Sequence, residues 1–302
     1  MNNNFVLKKV SRILIFLFLI ISCEEKKEAF LCYNPDYYFV YNEEYKIYKS
    51  VKKKLYRNFY QVKEVNVESF NTLPDTFKKV LDNKKSGFFY INDFLTPLLL
   101  KDELLSTNGN FKLLTYNLPM IEIDKNNISI FNIKIDPNII KKKLLNFLKR
   151  FSKKKDFSDC GILVNLNYSF PFDLISSIKN DNLKLNILEI DKYDEKIIKN
   201  WLNENNMNTV LLFGYEINNF VSNLNEKEYQ DLVFLEFDTR YGEIYNKIKY
   251  NIKIDWKSAV KYALESEEMK KFLKNKTKIS KKDYLIKNKS VIIIEKYKNI
   301  KN

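Results

Sequence analysis

The chain contains no histidine. That excludes Ser-His-Asp and Cys-His nucleophile activation, His-ligated zinc or iron, and a histidine general base. Glycine is scarce: Gly87, Gly109, Gly161, Gly214 and Gly242 each stand alone. Neither a phosphate-cradling P-loop nor a G-x-G-x-x-G turn can be built from them. Cys23, Cys32 and Cys160 form no C-x-x-C pair, so a structural zinc of that kind is out. Arginine is confined to Arg12, Arg57, Arg150 and Arg240, although lysine and arginine together number 52. The planar fork that grips phosphates and base edges is therefore nearly missing, which argues against a nucleic-acid partner. For catalysis only a carboxylate pair is left. The acidic doublets Glu24-Glu25 and Glu43-Glu44 read instead as a charged tether and a helix start. No cofactor and no metal are expected, and the absences favour binding over an enzymatic reaction.

What is present begins with a leader. Lys8, Lys9 and Arg12 precede an apolar run at 13–21, which ends in Ser22-Cys23. The run is shorter than the ~20 residues a membrane span needs. A cationic start, a short apolar stretch and a small residue before the cut make a secretory signal. With a Cys directly after the small residue, the segment resembles a bacterial lipoprotein signal. That resemblance implies acylation of Cys23 and attachment to the lipid bilayer of a cell membrane. Residues 1–22 are then the signal and 23–28 a tether. Losing Lys8, Lys9 and Arg12 takes the net charge from +14 to +11. This reads mainly as a solvated lysine surface, with weak attraction to anionic membranes second.

Hydrophobic residues make up 45% of the chain, with 23 Phe and 20 Tyr, enough for a packed core. Strand and helix patterns alternate from 29 to 135: strands at 29–33, 62–67, 87–91, 111–116, 120–123 and 129–135, helices at 42–60, 76–82 and 94–105. In the first helix Tyr45, Tyr48, Val51 or Lys52, Leu55, Tyr56 and Phe59 share one side. A second series follows Pro137, with helices at 137–151, 172–178, 194–205 and 217–224 and strands at 161–166, 183–190, 209–213 and 232–237. Residues 256–274 read as one helix, 278–289 as a polar loop and 290–297 as an edge strand. Cys32 and Cys160 fall in strand-like apolar segments and are expected as unpaired buried thiols, although an exported chain permits a bridge. Near-continuous apolar strands between amphipathic helices mean parallel sheets covered on both faces. The expected fold is α/β, with two doubly wound parallel-sheet lobes and a cleft between them. The lobes are assigned to 29–131 (with part of 250–302) and to 132–249.

This order of elements resembles a type I periplasmic binding protein, and within that fold the basic membrane protein family of nucleoside-binding lipoproteins. Residues 30–34 lead to Asp36 and then Tyr41-Asn42, where the family has an Asp and then Phe-Asn at the start of its first helix. The extended segment 128–136 followed by 137–151 matches the family's crossover. Phe213-Gly214 and Glu236-Phe237-Asp238 match its Gly-ended and Asp-ended strands. The resemblance implies a solute-binding lipoprotein of a transport system, with a small polar ligand such as a nucleoside and ABC-type transporter membrane subunits as partners. The alternative is a surface lipoprotein that keeps the fold, has lost the small ligand and binds a macromolecule.

A nucleoside needs aromatic faces for its base and acceptors for its ribose hydroxyls. By position, Tyr41 and Phe170 are the ring walls, one per lobe. Asp36, Asn42, Asn92, Asp93 and Asn167 are the acceptors, Asp238 faces the ribose, and Gly214 lets the backbone approach. Asn42 and Asp93 serve equally well as helix N-caps, and Asp36 as part of the Asn34-Pro35-Asp36 turn.

Overall fold

Along strand β1 (Glu28–Tyr33), Ala29 and Leu31 enter one apolar core and Phe30 enters another. A strand covered by helices on both faces must be apolar in both directions. The computed structural model describes residues 27–33, 42–67, 72–84, 86–90, 101–116, 127–165, 171–179, 183–213, 229, 232–237, 248–274 and 282–297. The first series continues with α1 (Asn42–Arg57), β2 (Gln61–Asn66), α2 (Leu73–Asp82), β3 (Ser86–Tyr90), α3 (Lys101–Ser106), β4 (Asn110–Tyr116) and β5 (Ile128–Ile135). The second is α4 (Pro137–Leu148), β6 (Cys160–Asn165), α5 (Pro171–Lys179), β7 (Asn186–Ile190), α6 (Glu195–Asn205), β8 (Thr209–Phe213), β9 (Val233–Phe237) and β10 (Ile248–Ile254). The chain closes with α7 (Trp256–Glu265), α8 (Glu267–Lys274), β11 (Lys282–Ile286), a 3₁₀ turn (Lys289–Val291) and β12 (Ile292–Lys296).

These strands form two separate six-stranded sheets, ordered β11-β5-β4-β3-β1-β2 and β12-β10-β9-β8-β6-β7. Every pair in the first is parallel. In the second only the edge strand β12 runs antiparallel, against β10. The fold is the expected α/β pair of doubly wound lobes. One core is common to both: Leu31, Leu114 and Phe131 join Ile162, Leu211 and Phe237, with α1, α4, α5, α7 and α8 packed on them. The opposite faces have cores of their own. Phe30, Phe89 and Phe111 meet Phe77 and Leu81 of α2, and Leu163, Val210 and Phe234 meet Ile198 and Leu202 of α6. Each such side chain contributes about 1.5–3 kcal/mol when fully buried.

The chain passes between the lobes at capped positions. Asp136 follows β5, accepts from the Asn138 N–H at 2.9 Å and caps α4, with Pro137 in the first turn. Asp255 does the same for α7, accepting from the Ser258 N–H at 3.0 Å. Asn288 caps the 3₁₀ turn through the Ser290 N–H at 3.0 Å. The crossings are bonded side by side: Asp136 N–H donates to Ile286 O at 3.1 Å, and Asp255 N–H to Val291 O at 2.7 Å. Lys143 on α4 adds its ammonium to the carbonyls of Lys289 and Ile292.

Five readings are corrected. The lobe division at 131/132 cuts through β5, which lies wholly in the first sheet; the break falls at the Asp136-Pro137 cap, where the apolar alternation stops. Likewise β10 extends the second lobe to Ile254. Within 278–289, read as a loop, 282–286 is a strand. Its polar residues are used sideways on β5: Asp283 pairs with Lys134 at 3.1 Å and accepts from Asn132, while Tyr284 stacks on Phe131. The helix read over 256–274 is broken at Ser266, whose backbone is extended and whose hydroxyl accepts from the Met269 N–H. On α1 the inward face is Ile47, Tyr48, Val51 and Leu55, so Tyr56 and Phe59 stand 54% and 90% exposed. The strand read at 120–123 and the helix at 217–224 lie outside the described residues.

Candidate functional site

In open α/β sheets a ligand binds beyond the carboxyl ends of the strands. Of the residues named from sequence, Asn42 is described: it opens α1 and is exposed. Asp36, Tyr41, Asn92, Asp93, Asn167, Phe170, Gly214 and Asp238 lie outside the described residues, as does Cys23. The strands that lead to them are described. β1 ends at Tyr33 before Asp36, and β3 ends at Tyr90 before Asn92 and Asp93. β6 ends at Asn165 before Asn167 and Phe170; β8 ends at Phe213 before Gly214; β9 ends at Phe237 before Asp238. β1 is bonded to β3, and β8 lies between β6 and β9, so within each lobe these strands are neighbours.

The structure adds groups at the same ends that the sequence reading treated only as parts of elements. Tyr116, the last residue of β4, is buried and donates its hydroxyl to the Glu44 carboxylate in the first turn of α1. Its ring packs on Trp256, centroids 5.3 Å apart. Trp256 is the first residue of α7, directly after the second crossing. A carboxylate, a phenol and an indole thus meet at the strand ends of the first lobe, beside a crossing between the lobes. They come from separated stretches of chain, so no spacing rule reveals them. In the second lobe Asn165 is buried at the end of β6, in register with Ile190. Its signal in the sequence was an amide closing an otherwise apolar strand. Carboxylate, amide and aromatic faces are groups that hold a polar solute by hydrogen bonds and stacking.

The titratable groups that depart most from ordinary behaviour lie away from these ends. Burial pushes the Cys160 thiol up to about 12, with the Asp159 charge beside it adding to the effect. Cys160 is free and buried. Burial also lowers the Lys112 ammonium to about 8, where it caps the end of α8 at the Phe272 and Leu273 carbonyls.

No family model and no curated protein matches the chain. Solved structures do. A protein described as an ABC transporter, LacI family transcriptional regulator from Brachyspira murdochii is 13% identical, covers 90% of this chain and 94% of its own, and has a TM-score of 0.53. XylFII in its complex with LytSN is 13% identical over 89% of this chain and 97% of its own, TM-score 0.57. GanP, a glucose-galactose binding protein from Geobacillus stearothermophilus, is 12% identical over 91% and 98%, TM-score 0.51. Two doubly wound lobes joined by three adjacent crossings, with these likenesses over nearly the whole length, define a type I periplasmic-binding-protein and LacI-like fold.

Proposed function

We propose that the chain is a membrane-tethered solute-binding protein, anchored through acylated Cys23, that closes its lobes over a small polar ligand without a chemical step. The observation that carries the reading is the pair of parallel sheets whose adjacent strands end, in each lobe, at polar and aromatic residues. The likeness to GanP supports a sugar-like solute, and the likeness to XylFII in complex with LytSN supports a protein partner. The finer assignment to the basic membrane protein family rests on the Tyr41-Asn42, Phe213-Gly214 and Asp238 landmarks. In this reading Asp36, Asn42, Asn92, Asp93, Asn167 and Asp238 accept hydrogen bonds from the ligand, and Tyr41 and Phe170 flank it. Glu44 and Trp256 shape the first-lobe wall, and transporter membrane subunits receive the solute.

A thermal-shift screen of nucleosides, monosaccharides and amino acids tests it. A true ligand at 100 times its dissociation constant adds about 2.7 kcal/mol to stability. Asp238→Ala weakens that binding about tenfold or more, the loss of one charge-assisted contact. A screen in which no solute shifts the melting temperature refutes small-ligand binding and leaves the macromolecule-binding alternative.

A further inference from the structure

At the end of the first sheet opposite to the ligand end, α1 runs out into Asn58 and Phe59 before β2 begins. Phe59 is 90% exposed and holds a left-handed backbone, φ 61°, a conformation rarely taken by an aromatic residue. Tyr56 beside it is 54% exposed. Lys49, Lys52, Lys53, Tyr56 and Arg57 line a shallow depression of about 440 Å³ on the same helix end. Lys52 is paired with Glu64 at 2.7 Å. Among the described residues, Lys53 and Arg57 pair with no carboxylate. Behind the turn, Tyr60 donates its buried hydroxyl to the Leu273 carbonyl at 3.0 Å and fixes the turn to the last turn of α8.

The position of the patch in the chain is as informative as its chemistry. Gln61 N–H donates to Lys27 O at 2.8 Å, so the turn that exposes Phe59 is bonded to the first described residue. From Cys23 to Lys27 the chain reaches at most about 14 Å when fully extended. We infer that the Lys53–Tyr56–Arg57–Phe59 patch, with Lys27 at its rim, is a docking face for the surface of an anionic lipid bilayer. Aromatic side chains settle at the headgroup level, and lysine and arginine are drawn to anionic lipid. The inference rests on the proposed anchor only for where the membrane lies. Docking here turns the carboxyl ends of the first-lobe strands away from the membrane.

The test uses unacylated chain starting at Glu24, which contains every described element, and co-sedimentation with vesicles. Vesicles of phosphatidylcholine with phosphatidylglycerol are expected to bind it at 0.1 M salt, and phosphatidylcholine alone is not. Binding should fall as salt rises to 0.5 M and the screening length shrinks. Phe59→Asn keeps a residue that accepts the left-handed backbone, and it should lower the bound fraction with unchanged circular dichroism. Lys53→Glu with Arg57→Glu should lower it by about tenfold or more. Variants that bind like wild type, or a wild type that ignores anionic vesicles, overturn the inference. So does self-association in the absence of vesicles that the same variants abolish, since a second copy would then cover the patch. Labelled palmitate on the full chain reads the anchor separately; vesicle binding by the unacylated chain supports the patch whether or not label is found.

Discussion

Replacing Asp159 by alanine tests how the second lobe is held together. Asp159 is only 2% exposed, just ahead of β6. Its carboxylate accepts from Ser152 Oγ at 2.5 Å, the Lys153 N–H at 2.6 Å and Asn208 Nδ2 at 2.7 Å. It therefore ties the loop after α4 to the turn that starts β8, and Asn208 O in turn accepts from the Val233 N–H at the head of β9. Burial by itself would raise this carboxyl, but the donated hydrogen bonds outweigh it and hold the group below the ordinary range. A hydrogen bond to a charged group contributes about 1.5–3 kcal/mol. Ser152 and Lys153 are near water and regain part of that loss, so the net cost of Asp159→Ala is about 3 kcal/mol. At about 2–4 °C per kcal/mol for a chain of this size, the melting temperature falls by roughly 6–12 °C at pH 7. The pH dependence has a definite sign. A lowered carboxylate contributes its full stability above its unfolded pKa near ~3.9 and loses it as pH falls through the folded value. The gap between wild type and Asp159→Asn, followed by circular dichroism melts, should stay constant from pH 8 to 5 and narrow below 4. A drop under about 2 °C at pH 7, or a gap that does not narrow in acid, refutes the reasoning.

Gly161→Ala puts a methyl 2.3 Å from Met207 Sδ and 2.7 Å from Trp201 Cη2, so it should cost about 1–3 kcal/mol in urea unfolding. Adding Met207→Ala should recover part of that loss, and full additivity of the two would contradict the contact. The depressed Lys112 favours deprotonation in the fold. Its contribution to stability should therefore rise as pH climbs from about 8 toward the unfolded value, and Lys112→Met should flatten that rise. Parallel curves for the two proteins would rule this out. In a chain carrying Cys23→Ser and Cys32→Ser, Cys160 should resist a thiol reagent at pH 8 until denaturant is added; rapid labelling of the native protein would show that it is not buried as described.

Much of the fold is written in short-range signals. The strand at 161–166 was readable because nearly every residue there is apolar, and β6 is buried along its whole length. The start of α4 was readable because Asp136-Pro137 couples a cap to a residue suited to the first turn. β11 was missed for the opposite reason. Its charged residues look like loop in isolation and become strand only when β5 offers Lys134 and Asn132 beside them. Periodicity located α1 and its Tyr48, Val51 and Leu55 face, but placed Tyr56, and Phe59 beyond the helix end, on that face as well. Tyr56 and Phe59 match the apolar stripe in type, yet the inward arc is set by what Ile47 and Tyr48 meet across the sheet.

The same division runs through the candidate site. Placing Asp36, Asn92, Asn167, Gly214 and Asp238 after strand ends needed only the strand pattern. The meeting of Glu44, Tyr116 and Trp256 could not be read that way, because their helix, strand and crossing are far apart in the chain. The amino-acid order alone determined the alternation of elements, their caps and the exclusion of histidine chemistry, since each depends on neighbours a few residues away. Tertiary structure alone decided which strand lies beside which, where the chain changes lobe and which aromatic faces stay outside. Those outcomes depend on lateral hydrogen bonds and shared apolar burial between segments that the sequence keeps far apart.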